Sequence, residues 1–424
     1  MNGALRFGYE GVARLAGALA AFAPSNRGGK LVETFALRRN VLAHFESFAR
    51  DRARPLLWMH APSVGEGHQA RPVLDLVRTR YPHAQLAYTY FSPSAREFAA
   101  RLPVDFRDVL PFDATRDTRR ALDALAPTAL VFSKVDVWPT LAREASLRGT
   151  RLGLISATVA RSSSRRSGFA GALLRDAYAG LDVVGAISAD DADRLVALGV
   201  PSSRITITGD TRYDQVWVRA RSIDRNAPLL LALASVRPTL VAGSTWPADE
   251  AVLLPAWAGA NRAQEARLIL APHEPTRRHL SAIESWASSV KLRLARLDSV
   301  DAGTADVVLV DRVGILGDLY ALADIAFVGG AFHAAGLHSV LEPAAFGVGV
   351  LFGPRHAGAR DARLLIDADA AVTVANPAAL QSVLERWLQG TDDWRQMGLR
   401  ATDVVHRGLG AAKRSYALVD ALLR

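Results

Sequence analysis

Short apolar runs without internal polar alternation recur along the chain, separated by stretches whose apolar residues repeat at the helical period. In the first half the runs predict strands near 56–61, 85–91, 129–134, 151–156, 183–188 and 205–208. In the second half they fall near 239–243, 268–271, 306–310, 325–329, 349–352 and 370–374. Helix-period segments such as Gln69 to Arg80 and Thr118 to Leu125 lie between them. Unalternating runs of this length suit parallel strands covered on both faces. Strand–helix alternation carried out twice predicts an α/β chain of two doubly wound, Rossmann-like domains facing across a cleft, with ligands at the carboxyl edges of the strands. The expected divisions are a helical segment at 1–30, a first domain at 31–218, a second at 228–393, and a helix at 394–424 packing back toward the first domain. The polar stretch Arg219 to Pro228 reads as the linker.

Composition narrows the chemistry. With 424 residues, half of them hydrophobic and 22% charged, the chain can bury two cores. Of its 51 basic residues, only Lys30, Lys134, Lys291 and Lys413 are lysine, and the formal charge is +9. The planar fork of arginine suits phosphate and carboxylate, so an anionic partner is expected. No helix-turn-helix, zinc-finger or RNA-binding signature occurs, and no nucleic acid is expected as a partner. Cysteine is absent, which excludes disulfides, thiolate ligands and cysteine nucleophiles. The ten histidines show no His-x-x-x-His or His-Glu-x-x-His spacing, so no metal site is expected. Leu15 to Ala23 is an apolar run preceded by Arg6 and Arg14. It resembles a signal peptide faintly, is far short of the roughly 20 apolar residues a spanning helix needs, and reads best as a helix lying on a membrane surface.

Two stretches share one design of strand, tight loop and Ser-x-x-Glu opening a helix. The first runs from Leu56 to His60 and on through Ser63, Gly65 and Glu66. The second runs from Ile325 through Gly329, Gly330, Gly336 and His338 to Ser339, Val340, Leu341 and Glu342. Each Ser-x-x-Glu matches a capping box, in which both side chains serve the helix start. Against that, each carboxylate stands at a strand's carboxyl edge. Glu66 there can take a proton from an attacking hydroxyl, with Gly65 admitting a close approach. The glycines before Glu342 feed a helix start whose amides attract phosphate, and Glu342 itself can hold ribose hydroxyls. Gly243-Ser244-Thr245 ends a strand where hydroxyls can meet a sugar or phosphate or simply cap a helix. Pro272-His273 ends the next strand. In the first half, Lys134 and Asp136 stand beside Trp138-Pro139, and Arg212 lies in Thr208-Gly209-Asp210-Thr211-Arg212-Tyr213-Asp214, cations at one sheet edge. Neither a Gly-x-Gly-x-x-Gly fingerprint nor a Walker sequence is present, which disfavours dinucleotide or ATP binding.

Several of these pieces, in this order, resemble the 3-deoxy-D-manno-octulosonic acid (Kdo) transferases of Gram-negative envelopes. They are His60-Ala61-Pro62-Ser63-Val64-Gly65-Glu66, Phe91-Ser92-Pro93-Ser94, Trp138-Pro139, Thr208 to Asp214, Val328-Gly329-Gly330, Gly336-Leu337-His338, Leu341-Glu342-Pro343 and Phe352-Gly353-Pro354. The resemblance implies an inverting, metal-independent glycosyltransferase of the GT-B type with no cofactor. Its donor would be CMP-Kdo, and its acceptor the 6'-hydroxyl of a tetraacyl, bis-phosphorylated disaccharide (lipid IVA), in lipopolysaccharide synthesis. It implies Glu66 as general base, with Arg212 at the departing phosphate or the sugar carboxylate. Nucleotide contacts are implied at Pro272-His273, at Val313-Gly314-Ile315 and from Ser339 to Glu342, with Glu342 on the ribose. It further implies a peripheral enzyme on the anionic cytoplasmic face of the inner membrane. Three positions depart from the common pattern: Lys134 stands for a glutamate, Ser339 for an asparagine and Ile315 for a glutamate. Two other readings stay open, a sugar-nucleotide epimerase with two similar domains and a non-enzymatic basic scaffold in which both Ser-x-x-Glu elements are only caps.

Overall fold

The computed structural model describes residues 3–22, 30–160, 168–390 and 393–424. Part of the expected 1–30 segment, including Ala23, lies outside these residues. The chain forms two compact units, Met1–Gln215 with Leu409–Arg424, and Val216–Gly408.

The first unit holds a seven-stranded parallel sheet. Its strands are β1 (Leu56–His60), β2 (Gln85–Tyr90), β3 (Phe106–Val109), β4 (Ala129–Ser133), β5 (Arg151–Ala157), β6 (Val183–Ala186) and β7 (Ile205–Ile207), in the order β3-β2-β1-β4-β5-β6-β7. Every residue of β1, β2 and β4 is buried, as strands covered on both faces must be. The second unit repeats the plan with β8 (Thr239–Thr245), β9 (Arg267–Pro272), β10 (Leu294–Arg296), β11 (Val307–Leu309), β12 (Ile325–Val328), β13 (Gly349–Phe352) and β14 (Ala371–Thr373), in the order β10-β11-β9-β8-β12-β13-β14. The order reverses direction between β1 and β4 in one sheet and between β8 and β12 in the other. In open α/β sheets such switch points are where loops part and ligands enter.

Strands β3 and β10 are absent from the sequence expectation. Both are sheet edges, and Phe-Arg-Asp-Val and Leu-Ala-Arg carry charged residues that break any apolar run. The polar stretch Arg219 to Pro228 is not a simple linker either. Helix Arg212–Ser222 runs through the division of the units, because Trp217 meets His406 edge to face and Arg219 pairs with Asp318 at 3.1 Å. The terminal stretch is two helices. Asp393–Arg407 belongs to the second unit, where Met397 lies against Gly349. Gly410, at φ +85°, ends the connection. Helix Ala411–Leu423 then covers the first sheet, and a Cβ on Gly153 of β5 would come within 2.8 Å of Leu422.

Helix Gly3–Phe22 is fastened by its polar side. Tyr9 donates to Asp113 at 2.9 Å, and the Glu10 carboxylate accepts from the backbone and hydroxyl of Thr115. Asp113 in turn accepts the amides of Thr140 and Leu141. The opposite side bears Phe7, Val12, Leu15 and Leu19, between 53% and 83% exposed. No described helix is long and apolar enough to cross a membrane.

Candidate active site

At the first switch point, β1 ends at His60 and the chain turns through Ser63, the N-cap of helix Val64–Arg80, so Glu66 falls in the first helical turn. On the neighbouring strand β4, the chain leaves through Lys134, whose backbone takes a left-handed φ of +70°. Lys134 Nζ donates to Glu66 Oε1 at 2.8 Å, and Ser63 Oγ donates to Oε2. The Ser63 hydroxyl caps no helix amide. The capping-box account of Glu66 therefore fails on the serine side: the hydroxyl serves the carboxylate rather than the helix. Burial pushes the Glu66 pKa up, but the hydrogen bonds from Lys134 and Ser63 outweigh it and hold the carboxyl below its ordinary range. With its side chain 13% exposed, Glu66 is an ionised carboxylate in a sheltered position. An added Cβ at Gly65 would meet only Ser63 Oγ, at 3.8 Å, so this turn faces open space.

The surroundings hold this turn rigid. Trp138, N-cap of helix Pro139–Leu147, donates its indole N–H to His60 Nε2 at 3.1 Å. His60 Nδ1 lies 3.0 Å from the Thr89 hydroxyl. His60 is wholly buried, and desolvation, reinforced by Arg38, depresses its pKa to about 3. Tyr178 pins the turn by donating to the Val135 carbonyl at 2.7 Å, and Asp136 follows half-buried. The Thr208–Asp214 element is tied to Glu66's helix: Gln69 donates to Asp210, and Thr211 Oγ1 donates to the Gln69 carbonyl. Arg212 is drawn onto the buried Asp210, with contacts of 2.7 and 2.9 Å. Lys134 and Glu66 are thus in direct contact, while Arg212 has a carboxylate of its own.

At the second switch point, β8 ends in Ser244, at φ +54°, and Thr245. The Thr245 hydroxyl is buried and donates to Glu250 at 2.7 Å. It therefore braces the fold, whereas Ser244 is half-buried. Gly329, at the end of β12, has no room for a side chain, since a Cβ would sit 2.3 Å from the Ser244 carbonyl. The loop that follows differs from the expected phosphate cradle. Gly330 and Phe332 give their amides to the buried Asp249, at 2.7 and 3.0 Å. The helix after the loop, Leu341–Ala345, is a single turn capped by Val340, so Ser339 caps nothing. Ser339 is exposed, and Gly336 takes a φ of +85°.

Four rings gather over this edge. Trp246 stacks on His333 with centroids 4.3 Å apart and tilts onto His273 at 4.7 Å. His273 stacks on His338 at 4.4 Å, and Trp246 donates its indole N–H to His338 Nε2 at 3.1 Å. Pro272, at the end of β9, is buried. Val313 is exposed, Gly314 takes φ +94°, and Ile315 caps helix Leu316–Leu319, whose first residue lies against Gly243 of β8. Glu342 is half-buried and finds no hydrogen-bond donor among the described residues. Desolvation by burial raises its pKa, and the nearby Arg219 only partly opposes this. No group of three His, Asp or Glu that could hold a metal occurs among the described residues.

Sequence reasoning passed over Trp246, Asp249 and Glu250. Trp246-Pro247 repeats the Trp138-Pro139 dipeptide at the corresponding place after a strand, a signal open to detection.

Two seven-stranded parallel sheets, each with acidic and aromatic side chains at its switch point, define a GT-B-type α/β protein. UDP-N-acetylglucosamine 2-epimerase from Neisseria meningitidis superposes with a TM-score of 0.62 at 12% identity, covering 87% of this chain and 99% of that one. A glycosyltransferase from Rickettsia africae superposes at 0.57 with 10% identity, covering 87% and 98%. At such identities the likeness is one of fold. Sequence is more specific. Residues 38–215 match the family described as 3-deoxy-D-manno-octulosonic-acid transferase. The chain is 32% identical to the 3-deoxy-D-manno-octulosonic acid transferase of Bordetella pertussis, over 72% of this chain and 73% of the relative. It is 26% identical to that of Haemophilus influenzae over 87% of each. The chain belongs to the 3-deoxy-D-manno-octulosonic acid transferase family, and it is a glycosyltransferase.

Proposed function

We propose that this enzyme moves Kdo from CMP-Kdo to the 6'-hydroxyl of tetraacyl lipid A precursor, with inversion, and that Glu66 is the general base. The observation that carries the reading is the ionised Glu66 carboxylate, sheltered at a switch point and aimed by Ser63 and Lys134. As the acceptor oxygen bonds to C2 of Kdo, its proton passes to Glu66. The bond from C2 to the phosphate oxygen breaks, and CMP leaves with the electron pair. Such proton transfer commonly contributes about 10²–10⁴ in rate. Lys134 keeps the carboxylate ionised, and Arg212 meets the charge of the phosphate or the sugar carboxylate. The second unit takes the nucleotide, and Glu342, which has no hydrogen-bond donor among the described residues, accepts from the ribose hydroxyls. Loop 313–315, Ser244 and Pro272-His273 are assigned to the same ligand. No step is assigned to a metal or cofactor.

The acceptor's lipid nature suits the exposed apolar side of helix Gly3–Phe22, which we assign to the anionic cytoplasmic face of the inner membrane. The test is incubation with CMP-Kdo, generated in situ, and the tetraacyl disaccharide, followed by mass spectrometry of the lipid. A gain of whole Kdo units is expected. An unchanged lipid would overturn the assignment of acceptor or sugar, and donor epimerisation without acceptor would overturn transfer.

A further inference from the structure

A hydrogen bond to one nitrogen of an imidazole decides where its proton sits. Trp246 Nε1 can only donate, so Nε2 of His338, 3.1 Å away, must be the accepting nitrogen. The proton of the neutral ring is then on Nδ1, for which no acceptor exists among the described residues. Desolvation lowers the His338 pKa to about 4, so the ring stays neutral at ordinary pH. The indole is itself locked: Trp246 N donates to Asp249 at 2.9 Å, and its ring lies against His333 and His273. The first unit shows what the same device does when closed, with Trp138 on Nε2 of His60 and Thr89 on Nδ1. At His338 the second position is open and lies at the edge of the nucleotide-binding unit.

We propose that Trp246 is a positioning residue: by occupying Nε2 of His338 it keeps the imidazole proton on Nδ1, where His338 donates a hydrogen bond to the phosphate of the bound cytidine nucleotide. This rests on the reading of the second unit as the CMP-Kdo site. A neutral donor suits a group that must bind the phosphodiester of the substrate and still release CMP, because it adds no fixed charge to hold the product.

The test compares full-length wild type, Trp246→Phe, His338→Asn and the double variant, using CMP and cytidine as probes. Phenylalanine keeps the ring packing and removes the N–H. Trp246→Phe is expected to weaken CMP roughly ten-fold, the scale of one hydrogen bond to a charged group, and cytidine less than two-fold. Nitrogen NMR of the imidazoles should show the His338 proton moving from Nδ1 toward Nε2. In the His338→Asn background the carboxamide donates without help, so adding Trp246→Phe should have little further effect on CMP. Equal losses for CMP and cytidine, an additive double variant or a wild-type proton on Nε2 would each overturn the proposal while leaving the donor site standing. Failure of the wild type to bind CMP at all would overturn the donor-site reading and the proposal together.

Discussion

Two helices in this molecule begin with tryptophan and proline, and each tryptophan gives its indole proton to Nε2 of a histidine at 3.1 Å. In the first unit the histidine, His60, is sealed in the core with its other nitrogen on Thr89. In the second unit the histidine, His338, is half-buried, and its other nitrogen has no partner among the described residues. One local arrangement is thus scaffold in one place and, on the proposal above, ligand presentation in the other. What separates them is burial: a sealed imidazole can only brace, whereas a half-exposed one has a direction to offer.

The largest effect should come from the carboxylate that Ser63 and Lys134 hold. Glu66→Gln keeps the shape and removes the base, so transfer measured by lipid mass should fall about 10²–10⁴-fold with CMP affinity unchanged. If CMP binding fell as well, the division of labour between the units would break.

Next, the two tryptophans should part company. Trp138→Phe leaves a buried imidazole nitrogen without its donor, which costs about 1–3 kcal/mol of stability, read from denaturant midpoints, with no change in CMP affinity. Trp246→Phe should do the reverse. Equal behaviour of the two would show that burial does not distinguish them.

Glu342→Ala should weaken CMP about ten-fold and abolish its advantage over 2'-deoxy-CMP, since the lost partners are ribose hydroxyls. A preserved preference for the ribonucleotide would remove Glu342 from the site.

The smallest effects are on pH. Lys134→Met removes a bond that lowers the Glu66 pKa and leaves burial, which raises it. The acid limb of the rate profile should therefore move to higher pH, and an unmoved limb would take Lys134 out of this role. His60 gives the opposite unit of account, stability. Its folded pKa of about 3 lies below the ordinary 6.5, so between these values the unfolded chain binds a proton that the folded one refuses. Its contribution to stability is complete above pH 6.5 and declines as pH falls toward 3, which thermal midpoints across that range will report.

The periodic signal carried the paired α/β plan, because interior parallel strands such as Ile325–Val328 are apolar throughout and Leu56–His60 is apolar up to its last residue. Edge strands escaped it, since Arg107 and Asp108 can face solvent there. At the sites, residue types were legible and their partners were not. The same Ser-x-x-Glu spacing leaves Ser63 bonded to Glu66 and Ser339 exposed above a single helical turn. Likewise, the glycine loop's amides went to Asp249, a residue some eighty positions earlier that no local pattern links to them (|i−j| = 81 to Gly330). Such pairings depend on which strands become neighbours.

The first unit takes its covering helix, Ala411–Leu423, from the far side of Val216–Gly408. During synthesis the strands β1 to β7 leave the ribosome well before that helix exists, a delay of roughly ten to forty seconds at ordinary elongation rates. Through that interval the apolar surface around Gly153 has no cover. Production of the enzyme therefore carries a window of exposure to chaperones and proteases that the mature protein conceals.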